Sequence, residues 1–190
     1  MKKYVLFAGV NGAGKSTLFL TLESLKQIER VNIDEIVRSF GDWKNPSDVV
    51  KAGKIAVTMI NDFFERGVSF NQETTLCGGS ILKNIARAKA LGYEIELHYV
   101  GLESVEIAKA RIAHRVEHGG HGIPDADVER RYFESFEHLN KVLCECNIAV
   151  LYDNTDAFKR FAIYKNGVLL SRTDEVPEWY KKYIRQDDMV

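Results

Sequence analysis

Cysteine is scarce and odd in number: Cys77, Cys144 and Cys146 are the whole supply in 190 residues. The last two stand one residue apart, which is neither a C-x-x-C redox or zinc spacing nor half of a disulfide framework, so reduced, structural thiols are expected. An excess charge of one sign is lacking too. With 26 Lys and Arg against 27 Asp and Glu the formal net charge is -1, and no basic run of useful length breaks that balance. Neither nucleic acid nor a membrane surface is therefore an expected partner. Long apolar runs are missing as well, since the first, "YVLFAGV", is too short for a secretory-signal core or a membrane span. An ordinary cytoplasmic globular protein is left, with one domain over residues 1–190 as the default for this length.

What is present is an alternation of short apolar runs with longer helix-like patterns. Strands are expected at 4–9, 30–32, 68–72, 95–101 and 148–153, and helices at 15–27, from Asp34, and at 47–66, 80–91, 103–118 and 125–143. That order specifies an α/β fold with a mostly parallel sheet covered by helices on both faces. After Asp156 the pattern changes. "RFAIYKNGVLLSRT" puts Asn166-Gly167 between two apolar arms, a hairpin signal, and "EVPEWYKKYI" reads as a closing helix, together spanning about 158–186.

The stretch "FAGVNGAGKSTL" gives the alternation a chemical purpose. Gly9, Val10, Asn11, Gly12, Ala13, Gly14, Lys15 and Ser16 match G-x-x-x-x-G-K-[ST] in full, between an expected strand and an expected helix. Glycines at 12 and 14 let successive backbone N–H groups turn inward, making a concave anion site at a helix N-terminus, where the dipole also favours negative charge. Lys15 would reach the β- and γ-phosphates of a nucleoside triphosphate, and the Ser16 hydroxyl would ligate Mg2+. The expected fold is thus that of the P-loop NTPases, with ATP and Mg2+ as cofactors.

Two carboxylates fall at strand ends near this loop. Asp34 follows the second strand, where a base can take the proton of an attacking hydroxyl; a helix N-cap is the rival reading. Glu73 closes "VSFNQ" ahead of Thr74-Thr75, at the carboxyl end where open α/β sheets bind ligands, with a solvated strand end as its rival.

A third constellation is "ARIAHRVEHGGHGIPDADVERRYFESF". Arg111 and Arg115 share one helical face, Gly119, Gly120 and Gly122 break the helix, and Arg130-Arg131 begin the next one after Pro124. Such a pair of arginine-bearing helices around a glycine hinge, about 111–131, reads as a lid over a transferring phosphoryl group, or else as a solvated charged pair. His114, His118 and His121 raise a metal alternative, which lacks the glutamate of H-E-x-x-H.

"NGAGKST", "NIDEI", "QETTL", "GYEIELHYVGL", "RVEHGGHGIPDADVERRYFESFEHL" and "LYDNTD", in this order, resemble the zeta-toxin family of P-loop kinases, especially its short, stand-alone branch. The resemblance covers roughly residues 4 to 156. It implies ATP-dependent phosphorylation of a small-molecule hydroxyl, UDP-N-acetylglucosamine being the acceptor of the long members, and a small antitoxin partner where a member is toxic. It further implies that Lys15, Ser16 and Thr17 bind nucleotide, that Asp34 is the base, and that Glu73 and Thr75 face the acceptor or metal. By the same resemblance the lid arginines would hold the γ-phosphate; position ranks Arg115, nearer the hinge than Arg111, and Arg131, one turn before Ser135 on a face that should turn inward with Val128, as catalytic, with Arg111 and Arg130 as nucleotide-binding. Where the short branch reads E-T-T-L-S-G-R-S, this chain has "ETTLCGGS", so Gly79 stands in place of arginine and Cys77 in place of serine. A nucleotide-dependent ATPase or switch, or a catalytically degenerate nucleotide-binding module, are the competing functional classes.

Overall fold

A computed structural model of the chain describes residues 1–185; the last residue of the expected hairpin-and-helix segment lies outside the described residues. Seven strands form one sheet in the order β2-β3-β1-β4-β5-β6-β7. They are β1 (Lys3–Gly9), β2 (Glu29–Val31), β3 (Phe70–Thr74), β4 (Glu94–Gly101), β5 (Ile148–Asp153), β6 (Lys159–Lys165) and β7 (Val168–Arg172). The first five run parallel, and β6 and β7 continue the sheet antiparallel. The helices are α1 (Lys15–Thr21), α2 (Ile33–Phe40), α3 (Pro46–Arg66), α4 (Gly79–Ala90), α5 (Val105–Glu117), α6 (Asp125–Leu143) and α7 (Glu178–Tyr183).

Because helices cover both faces, β1 is buried along nearly its whole length: Tyr4, Val5, Leu6, Phe7 and Ala8 all lie in the core. An unbroken apolar strand is what a doubly covered parallel sheet requires. From β1 the chain crosses toward the β2 edge, whereas from β3 it crosses back toward β4. The direction reverses between the neighbours β1 and β3, which opens a crevice beyond their carboxyl ends.

Local chemistry accounts for the element ends. The Asn45 side chain accepts from the Ser47 N–H with Pro46 at the first helical position of α3, and Ser104 caps α5 through the Ile107 N–H. At the other end of α3 the chain turns through left-handed Gly67, and the Val68 N–H returns to the Phe63 carbonyl. That closing turn uses up residues 67–69, which is why the third strand begins at Phe70 rather than Val68. The Asn166-Gly167 turn has positive φ at both residues, as the expected hairpin demands.

Helix α1 stops at Thr21, six residues short of the expected end, and a 3-10 turn follows at Glu23–Leu25. Asn71 supplies the reason. Its fully buried amide donates to the carbonyls of Leu25 and Glu29 at 3.3 Å each, drawing the chain out of helix and into β2.

Candidate active site

At the carboxyl end of β1 the chain passes through Gly9, whose φ of +138° and closeness to β4 exclude any side chain: a Cβ there would stand 2.1 Å from the Val100 carbonyl oxygen. Gly14 ends the loop with φ +93°, and the Asn154 Nδ2 stands 2.8 Å from where its Cβ would be. The loop wraps the N-terminus of α1 with Ala13 and Lys15 buried and Ser16 and Thr17 exposed. Lys15 Nζ donates to the Val10 carbonyl at 3.1 Å. Burial pushes its pKa down, opposed by the carboxylates of Glu73 and Asp34.

Glu73 lies inside β3, one residue before its end, and is the hub of the site. Ser16 Oγ donates to its two carboxylate oxygens at 2.8 and 3.0 Å, while Arg30 Nη2 and Asn32 Nδ2 each donate to Oε2 at 2.9 Å. Arg30, with 12% of its side chain exposed, lies over the Phe19 ring at 3.6 Å and also bonds Glu35 and Asn71. Asn32 caps α2, its side-chain oxygen accepting from the N–H groups of Asp34 and Glu35. The cap reading of Asp34 is thereby corrected: the Asn32 amide, one residue before the helix, fills that place, and the Asp34 carboxylate, in the first turn, lines a cavity.

That cavity, of about 810 Å3, is bounded by the P-loop, by Asp34 and Trp43, by Glu73 to Thr75, and by Arg111, Arg115, Arg130 and Arg131. Asn11, Gly12, Gly14, Lys15, Ser16 and Thr17 also line it, whereas Gly9 and Ala13 shape the loop from behind. Arg111 Nη2 donates to the Thr155 carbonyl at 2.9 Å, and Asn154 Nδ2 donates to the Ala13 carbonyl at 2.8 Å, so the segment after β5 is tied to the loop's rim. Arg115 is half-buried, and desolvation lowers its pKa without discharging it. Arg130 is spent on exposed pairs with Asp127 and Glu134; Arg131 is less committed, 3.9 Å from Asp127.

The two departures have separate consequences. Cys77 Sγ donates to the Arg131 carbonyl at 3.3 Å, tying the turn before α4 to α6, and burial raises its pKa. Gly79 opens α4 with nothing within 4 Å of a Cβ, and the cavity lining passes from Gly78 to Ser80 without it. The histidine cluster does not form a metal site: His114 and His118 pack together on the exposed face of α5, His121 turns toward Trp43, and among the described residues no group of three or more His, Cys, Asp or Glu could hold an ion.

Arg30, Asn32 and Trp43 were not singled out by sequence reasoning. Asn32 carries the signal it needed, a capping residue two positions before Asp34; Arg30 and Trp43 carry none, being one of two charges on a three-residue strand and a lone ring in a loop.

The residues converging here would suit ATP and Mg2+. The buried Lys15 and the N–H groups of the loop form an anion cradle, and a hydroxyl paired with a carboxylate is an oxygen donor set of the kind a hard cation takes with few protein ligands.

The fold and this loop define a P-loop kinase architecture. The chain belongs to the Zeta toxin family, whose profile matches residues 1–168. An uncharacterized protein of Haemophilus influenzae is 34% identical over 130 residues, which are 68% of this chain and 92% of that one. The AvrRxo1-ORF1:-ORF2 complex with ATP shares the fold at a TM-score of 0.72 and 14% identity, over 96% of this chain and 63% of that one. The PezAT toxin–antitoxin system of Streptococcus pneumoniae does so at 0.61 and 17%, over 83% of this chain and 70% of that one. This chain therefore spans less than two thirds of the AvrRxo1 chain.

Proposed function

We propose that the chain transfers the γ-phosphoryl group of ATP to the hydroxyl of a small-molecule acceptor in the cytoplasm. The observation that carries the reading is the Ser16–Glu73 hydrogen bond beside buried Lys15, with Asp34 across the same cavity. ATP supplies the phosphoryl group, and Mg2+ neutralises charge on its oxygens. Lys15 and the N–H groups from Asn11 to Thr17 hold the β- and γ-phosphates, while Ser16 and Glu73 hold the ion. Asp34 accepts the proton of the attacking hydroxyl, Thr75 faces the acceptor, and Arg115 and Arg131 meet the charge that grows on the transferring group. Arg111 and Arg130 flank the nucleotide.

Family membership favours a nucleotide sugar such as UDP-N-acetylglucosamine as the acceptor. The likeness to the AvrRxo1 and PezAT assemblies supports a small antitoxin protein as partner. A panel of hydroxyl compounds incubated with ATP and Mg2+, read for phosphorylated product by mass, tests the reading. Product from one acceptor, absent with Asp34→Asn, is the expected result; ATP turnover that no acceptor accelerates would move the chain to the ATPase or switch class.

A further inference from the structure

One contact unused by the proposed transfer ties together two loops that line the cavity. Trp43, between α2 and α3, stacks on His121, between α5 and α6, with ring centroids 3.9 Å apart and planes 12° from parallel. The indole Nε1 is buried with no hydrogen-bond partner among the described residues, an unusual state for a group that ordinarily finds one.

Arg115 pins His121 from behind. Its Nη2 donates to the His121 carbonyl at 2.8 Å and lies 3.2 Å from His121 Nε2. A guanidinium only donates, so Nε2 accepts and the imidazole is neutral, with its proton on Nδ1; desolvation lowers the His121 pKa in the same sense. The 3.8 Å approach of Asp34 Oδ2 to Nε2 is accordingly not an ion pair. The imidazole stands in front of Asp34, where an acceptor hydroxyl must come within hydrogen-bond reach. Arg115 Nε, meanwhile, is buried and has no partner among the described residues. The guanidinium is held by a carbonyl and a neutral ring, both weaker partners than an anion.

We propose that Trp43, His121 and Arg115 form a latch that shuts the acceptor side of the cavity in the free chain and that bound nucleotide releases. The proposal rests on the nucleotide reading given above. A triphosphate in the P-loop offers Arg115 charge-assisted hydrogen bonds, and the guanidinium turns to it. His121 then loses both bonds to Arg115, and only the ring contact keeps it on Trp43. Its departure uncovers the indole face and clears the approach to Asp34. Nucleotide binds first and acceptor second, so the acceptor side opens only once a phosphoryl donor is in place.

The test uses the full chain. Its two tryptophans are Trp43 and the core residue Trp179, 1% exposed, so subtracting the emission of Trp43→Phe isolates Trp43. Adding the non-hydrolysable analogue AMP-PNP with Mg2+ should raise the acrylamide quenching constant of Trp43 two-fold or more. His121→Ala, and His121→Gln as the milder change, should show the raised value before any nucleotide and no further rise with it. Displacement of a fluorescent nucleotide on the same samples reports whether the analogue binds. Binding with unchanged Trp43 quenching overturns the latch and leaves the nucleotide reading standing. No binding overturns the nucleotide reading and the latch's release together. Histidine variants that match wild type overturn the stack itself.

Discussion

The Ser16 hydroxyl donates to the Glu73 carboxylate at 2.8 and 3.0 Å, joining the first turn of α1 to the end of β3. The same carboxylate takes Arg30 and Asn32, so one anion organises residues from three elements. Glu73→Gln keeps the shape and removes the charge; turnover should fall about 10- to 100-fold or more, at least the loss seen when a residue behind a metal ligand is removed. Raising Mg2+ should recover part of the loss, as a Mg2+ titration of turnover would show. Glu73→Ala should in addition strip Arg30 and Asn32 of a partner and cost about 2–3 kcal/mol in denaturant unfolding.

Asp34 and Asn32 separate catalysis from capping. Asp34→Asn is expected to leave nucleotide affinity and unfolding free energy near wild type while phosphoryl transfer drops roughly 10²-fold or more, because an amide cannot accept the acceptor's proton. Asn32→Ala should cost about 1 kcal/mol of stability through the lost cap. Transfer that survives in Asp34→Asn would strike Asp34 from the mechanism.

Lys15→Ala should abolish ATP turnover in a chain that still folds, since the lysine side chain's one hydrogen bond among the described residues is to a loop carbonyl. Full turnover with native circular dichroism would refute the P-loop assignment.

How much of this could be read beforehand follows from where each signal resides. The P-loop was legible because its glycines and lysine fall within one short stretch, and the parallel sheet because β1 and β5 carry nearly continuous apolar runs that alternate with helix-like patterns. The hairpin was announced by Asn166-Gly167. The end of α1 was not, because Asn71, forty-six residues away from Leu25, decides it. The start of β3 likewise depends on how α3 closes at Gly67. At the site, Glu73 and Asp34 were found as carboxylates near strand ends. The Arg30 clamp on Glu73 and the Trp43–His121 stack exist only once distant loops meet, and a single sequence carries no trace of such meetings.

Outside the site, Glu96 and His98 give the chain an acid-sensitive element. Both are on β4, and the His98 hydrogen bond at 2.9 Å, with help from Lys3, lowers the Glu96 pKa from 4.5 to about 2. A carboxylate with a depressed folded pKa adds stability that is whole above pH 4.5 and is lost as pH falls toward 2. The contribution should be about 2 kcal/mol, below what the full shift implies because Lys3 is partly open to solvent. Urea unfolding from pH 6 to pH 2.5 should show a steep acid limb that flattens in Glu96→Gln; equal slopes would remove the element.

The four arginines that α5 and α6 present to the cavity are distinguished by what already holds them. Arg130 spends its guanidinium on Asp127 and Glu134 with 58% of the side chain exposed, and such pairs contribute only tenths of a kcal/mol. Arg111 is fastened to the Thr155 carbonyl at the rim. Among the described residues, Arg115 is half-buried against the cavity with an unpartnered Nε, and the Arg131 side chain, 32% exposed, has only Asp127 as an ion-pair partner, at 3.9 Å. A group that meets the phosphoryl group chiefly in the transition state, or whose ground-state bonds to the triphosphate are offset by those it gives up, as Arg115 gives up His121, lowers kcat when removed and changes ground-state affinity less. Arg115→Ala and Arg131→Ala should therefore lower kcat by roughly 10²-fold or more with a smaller change in the Kd for ATP, in keeping with arginine contributions to phosphoryl transfer. Arg130→Ala should stay within about three-fold of wild type in both quantities, and Arg111→Ala should act mainly on Kd. Turnover and nucleotide affinity, measured separately for the four variants, decide the assignment. Four near-native kcat values would make these side chains solvated helix charges and nothing more.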